Sequence, residues 1–169
     1  MRDYAGALGK TELALKAART AFESSCSLED FRAAETWAGK HSGKHWGKVR
    51  KSLLAHLARA SHAPDRIEIY LVEGLIDEAI RSVGDDRGSR PYDDVLMRLA
   101  EAAHGSHPDW VIGFAERMAA SIMDANQAGS YPLAAKWLEK AVLAYEAAGR
   151  EHDWARCIEM LIDKHRRKY

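Results

Sequence analysis

The sequence has only two cysteines in 169 residues, too few for a disulfide framework or a four-cysteine zinc site. It has no net charge, since 25 Lys and Arg balance 25 Asp and Glu. That argues against a bulk polyanion binder and against a disordered acidic tail. It has no apolar run of bilayer-spanning length, so no membrane partner is expected. Met1-Arg2-Asp3-Tyr4 lacks the apolar core of a secretory signal, and the expected location is the cytoplasm. Val, Ile and Thr together fill only about one position in ten, and no segment alternates apolar and polar residues at period two. A sheet is therefore not expected.

Alanine fills about one position in six, well above ordinary usage. Alanine and leucine lose little freedom on entering a helix, whereas β-branched residues lose χ1 freedom there. The composition thus predicts an all-α protein, and the length suits one helical-repeat domain over 1–169. Helix signals divide the chain. Ser27 is placed to cap a helix starting at Leu28, with Asp30 three residues on in a near capping-box pattern. Pro64, Pro91, Pro108 and Pro132 sit where first turns are expected. Gly74, Gly84, Gly105, Gly129 and Gly149 suit the far ends. Nine helices follow, at about 10–25, 28–39, 44–60, 64–73, 75–84, 91–104, 107–127, 130–148 and 151–168.

Helix faces support this division. Trp46, Val49, Leu53, Leu54 and Leu57 fall on one side of their helix, and Lys44, Lys48, Lys51 and Arg59 on the other. After Pro108, one stripe holds Trp110, Val111, Phe114, Met118 and Ile122, and a second holds Ile112, Ala119 and Met123. A helix apolar on two adjacent sides needs a neighbour on each, which stacked antiparallel hairpins supply. A turn also recurs. Gly74 is followed five residues later by Ala79, Gly129 by Ala134, and Gly149 more loosely by Ala155. The glycine would stop one helix and the alanine would let the next approach closely. This resembles the tetratricopeptide repeat and predicts an α-α superhelix of about nine helices.

The later residues carry a second resemblance. Ser106-His107-Pro108-Asp109-Trp110 opens a helix and Met123-Asp124-Ala125 closes it. Tyr131 precedes Ala134-Ala135-Lys136-Trp137-Leu138-Glu139-Lys140-Ala141, and Gly149-Arg150-Glu151 leads to Trp154. Leu161-Ile162-Asp163-Lys164-His165-Arg166-Arg167-Lys168-Tyr169 follows. Together these look like the helical C-terminal region of bacterial SWIM-type zinc finger proteins. The family-like part is 64–169, with Ile69–Ala79 the weaker portion. A SWIM finger needs Cys-x-Cys and then Cys-x-His. Here Leu28 stands two residues after Cys26, and Glu159 two after Cys157. No zinc ligand carries over, and the chain reads as the helical part without its finger. The family's finger is associated with nucleic-acid and protein binding.

Direct signs of chemistry are few. Gly6-Ala7-Leu8-Gly9-Lys10-Thr11 has two residues between its glycines where a phosphate loop needs four, and reads as a helix start. Gly39-Lys40-His41-Ser42-Gly43-Lys44 has three and reads as a turn. His41 and His45 are split by Gly43; His104 and His107 flank a turn. Cys26 and Cys157 read as packing residues. No catalytic, cofactor-binding or metal-binding residue is therefore expected, and the protein is not expected to be an enzyme.

Charge is more informative. Residues 1–60 hold eleven Lys/Arg against six Asp/Glu, 61–130 hold six against thirteen, and 131–169 hold eight against six. Basic residues gather around Trp46, at Lys44, Lys48 and Lys51, and again at Arg166, Arg167 and Lys168. These seven residues are the expected partner-binding set. The expected function is a non-catalytic helical scaffold for a protein partner. The alternative is a nucleic-acid-associated module acting with a zinc finger located elsewhere.

Overall fold

Backbone hydrogen bonds close locally along the alanine-rich segments, and the chain is all-α. The computed structural model describes residues 10–41, 46–61, 65–84, 94–125 and 128–166. Nine α-helices and no strand occur among them. They are α1 (Thr11–Ser25), α2 (Leu28–His41), α3 (Trp46–Arg59), α4 (Arg66–Val72), α5 (Ile76–Val83), α6 (Asp94–Ala103), α7 (Pro108–Asp124), α8 (Tyr131–Ala147) and α9 (Glu151–Arg166). A 3-10 turn, Ala128–Ser130, leads into α8. None of these helices is long and apolar enough to cross a membrane. The chain divides into two compact units, Met1–Ser82 and Val83–Tyr169.

The helix ends follow the sequence signals. Ser27 caps α2, its Oγ accepting the Asp30 N–H at 3.2 Å. The capping box is rewired, however. Asp30 Oδ2 accepts from the Ser25 and Ser27 hydroxyls at 2.7 and 3.2 Å, and the Ser27 N–H goes to Ser25 Oγ. Pro108 and Pro132 stand in the first turns of α7 and α8. Gly74 and Gly149 take left-handed φ of 70° and 65°. At the first, Leu75 N–H reaches Tyr70 O at 2.8 Å and Gly74 N–H reaches Leu71 O at 3.1 Å. At the second, Arg150 N–H reaches Tyr145 O at 2.9 Å and Gly149 N–H reaches Glu146 O at 3.0 Å. Both are Schellman endings that satisfy otherwise orphaned carbonyls.

The repeated Gly–Ala device is only partly realised. Ala79 and Ala134 are buried as it requires. Gly129 is not left-handed, because α7 has already ended at Asp124 and Gly129 lies in the 3-10 turn. Ala155 is exposed. Gly39 lies within α2, which runs on to His41. Pro64, Pro91 and Gly43 lie outside the described residues.

In the first unit the helices alternate in direction. α1 and α2 are joined by two residues and pack along each other. His56 Nε2 of α3 donates to the Glu23 carbonyl near the end of α1 at 3.0 Å, so α3 runs with α1. Asp65, just before α4, accepts the Leu28 N–H at the start of α2 at 2.8 Å, so α4 runs with α2. A salt bridge from Arg50 to Glu73 ties the start of α3 to the end of α4. The core is centred on Phe22, whose ring lies 5.6 Å from Phe31 and 6.3 Å from His56. Ala14, Ala18, Ala34 and Ala38 are fully buried and let α1 and α2 approach closely.

In the second unit α7 lies along α8, and α6 and α9 also pack on α8. Both expected apolar stripes of α7 face inward: Val111, Ile112, Phe114, Ala119, Ile122 and Met123 are buried. Trp137 of α8 is fully buried, its ring edge-on to Phe114 at 5.5 Å. Arg150 pairs with Asp109 at 2.7 Å, and Lys164 with Asp124 at 2.9 Å. These pairs join the start of α7 to the start of α9 and their two ends to each other, so both run the same way. Each unit is thus a short array of antiparallel helical hairpins.

Candidate functional site

The candidate site is a groove between α1 and α3. On α1, Glu12, Leu15, Lys16 and Arg19 recur at helical spacing and share one face. On α3, Lys48, Val49 and Ser52 form the facing wall. The groove encloses about 480 Å³. Leu15 and Val49 are buried and make its apolar floor. Three cations and one carboxylate surround that floor.

Among the described residues these three cations, Lys16, Arg19 and Lys48, share the groove with one carboxylate, Glu12, and form no salt bridge. Among the described residues Arg50, Arg81, Lys140, Arg150 and Lys164 sit in salt bridges, while exposed Lys51, Lys136 and Arg156 do not. Arg19 Nε is shielded from solvent and has no hydrogen-bond partner among the described residues. A buried N–H without an acceptor loses its hydration with nothing in return. An anionic group entering this groove would neutralise an excess of positive charge.

Of the residues expected to bind a partner, Lys48 lines the groove. Lys51 is exposed on α3 but is not part of the lining. Trp46 does not join them. It lies two residues before Lys48, roughly 200° around the helix, and its ring meets Phe31 edge-on at 5.4 Å. Trp46 is half-buried, on the side of the helix where the face analysis put it, away from the lysines. Lys44, Arg167 and Lys168 lie outside the described residues, and Arg166 ends α9 with its side chain outside them. Lys16 and Arg19 were not anticipated. Their i, i+3 spacing was visible, but nothing in the sequence said that α3 would close over that face.

His104 and His107 engage their own turn. His104 Nδ1 donates to the Glu101 carbonyl at 2.6 Å, and His107 Nδ1 lies 2.9 Å from Ser106 Oγ. His45 lies outside the described residues. Among the described residues no three His, Cys, Asp or Glu side chains are placed to hold a metal ion.

A second polar cluster centres on Glu116 of α7. Its Oε1 accepts the Tyr145 hydroxyl of α8 at 2.7 Å and the Cys157 thiol of α9 at 3.1 Å. One carboxylate thus joins three helices. Arg150 lies over the Tyr145 ring at 5.5 Å. Burial, reinforced by the Glu116 acceptor and its charge, pushes the Cys157 thiol up to about 12. The same causes raise Tyr145.

Both groups hold their protons to higher pH when folded than when unfolded, which fixes the sign of the linkage. The Cys157 contribution is complete below pH 9.0, the ordinary thiol value, and is lost as pH rises toward about 12, while that of Tyr145 begins to fade only above its ordinary value of 10.0. We expect stability to fall with pH across that window, and Cys157 to react slowly with a thiol reagent at pH 8 in the folded chain. Thermal melts between pH 7 and 11 and alkylation mapped by mass spectrometry check both. Flat melting temperatures would contradict the first, and alkylation of Cys157 at the unfolded rate the second. This cluster holds helices together and keeps its thiol protonated, the opposite of what a nucleophile needs.

In comparisons with known proteins, no family model, no curated protein and no solved structure matches this chain.

Proposed function

We propose that this protein is a non-catalytic cytoplasmic scaffold that binds a protein partner through the surface of its helical array. The observation that carries this reading is the α1/α3 groove, whose three cations form no salt bridge among the described residues and surround a buried apolar floor. A hairpin array keeps its core between helices and leaves outward-facing residues open to change, so binding surfaces form without disturbing the fold. The resemblances to tetratricopeptide-type superhelices, and over 64–169 to the helical region of SWIM-type zinc finger proteins, support the same reading.

The alternative, a nucleic-acid-associated module working with a zinc finger elsewhere, draws on the same cations. Binding single-stranded nucleic acid commonly adds aromatic stacking to backbone neutralisation. Trp46 is turned to Phe31, and among the described residues no aromatic side chain lines the groove. The geometry favours a protein ligand.

Capture on the tagged chain from a lysate, with and without nuclease and at two salt concentrations, separates the readings. We expect protein retained after nuclease treatment, reduced several-fold by Lys16→Glu plus Lys48→Glu. Material lost to nuclease would favour the alternative.

A further inference from the structure

We infer that the α1/α3 groove recognises a short acidic peptide segment in which an apolar side chain is flanked by carboxylates. The inference rests on the scaffold reading and specifies its ligand. The floor of Leu15 and Val49 is apolar, and the rim carries Lys16 and Arg19 on one helix and Lys48 on the other. A ligand that is only anionic would leave that floor wet. A ligand that is only apolar would leave the rim cations unpaired. A peptide with an apolar residue between acids satisfies both. From Glu12 to Arg19 the α1 wall spans about 10 Å at 1.5 Å per residue, the length of about three extended residues. Glu12 on the same wall repels a ligand carboxylate placed beside it, which favours one placement of the acids along the groove.

The test uses the full chain and a fluorescein-labelled pentapeptide with a central leucine and two carboxylate residues on each side, read by fluorescence anisotropy. We expect saturable binding that weakens as salt rises and falls at least tenfold in Arg19→Gln plus Lys48→Glu. Lys51→Glu, a charge reversal on the same helix outside the groove, should retain binding within about twofold. Circular dichroism of each variant confirms that the helices persist. The amide analogue, with Gln and Asn for the acids, should not saturate, and replacing the leucine by glycine should weaken binding several-fold. Equal loss in the Lys51 variant would overturn the inference by reducing it to general charge attraction. So would unchanged affinity in the groove variant, absence of saturation, or an oligonucleotide of equal charge competing more strongly than the unlabelled peptide. Self-association abolished by the groove variant would assign the groove to a second copy instead. If the peptide fails while the unaltered chain still captures nuclease-resistant protein, and the groove variant captures it equally, the groove assignment falls and the scaffold reading stands. If the unaltered chain captures no nuclease-resistant protein either, both fall.

Discussion

Replacing Trp137 with alanine should cost about 3–5 kcal/mol, the usual range for truncating a buried large aromatic. Trp137 has no exposed surface, and its ring edge abuts Phe114, which in turn stacks on Trp110 at 5.0 Å. α8 packs on α6, α7 and α9, so the cavity opens where the second unit's helices meet. A domain is typically stable by only about 5–15 kcal/mol, so such a loss is a large share of the total. The checks are a urea titration and the reactivity of Cys157, which is 9% exposed in the native chain. The midpoint should fall sharply and Cys157 should become readily alkylated. A loss under 1 kcal/mol would mean that α8 does not sit at this centre.

Phe22→Ala should have a similar effect on the first unit, about 3–5 kcal/mol. Phe22 is fully buried and packs against Phe31 of α2 and His56 of α3. One truncation therefore weakens the contacts of α1 with two helices. The neighbouring end of α1 adds a constraint. Cys26 is buried and adopts a left-handed φ of 49°, a conformation that disfavours residues other than glycine. Burial of Cys26 and the hydrogen bond from its N–H to the Phe22 carbonyl at 2.8 Å hold that conformation. Phe22→Leu, which keeps most of the volume, should recover more than half of the loss. If Phe22→Leu and Phe22→Ala melt together, the aromatic cluster is not what holds α1, α2 and α3.

The helices were legible because their signals are local. Ser27, Pro108, Pro132, Gly74 and Gly149 act within a few residues of where they stand, and the sequence shows each neighbourhood whole. The stripes of α7 were legible for the same reason, since period 3.6 fixes which residues share a face. What was hidden depends on partners far along the chain. Asp65 caps α2 across 37 residues, and Glu116 meets Tyr145 and Cys157 at separations of 29 and 41. Neither pairing leaves a local pattern. The groove needs Lys16 and Arg19 of α1 brought against Lys48 of α3, which packing alone decides. The side Trp46 takes was legible as well: period 3.6 places it with Val49 and Leu53, opposite Lys48 and Lys51, and its ring meets Phe31 there.

The most direct test of the scaffold reading places a photo-activated benzoyl-phenylalanine at Ser52, in the groove wall, and a second at Glu159, exposed on α9. After irradiation in cells, position 52 should yield discrete protein adducts that survive nuclease and disappear with Arg19→Gln plus Lys48→Glu, while position 159 should not yield them. Nucleic-acid adducts at position 52, or protein adducts unaffected by the groove variant, would contradict a scaffold that reads its partner through this groove.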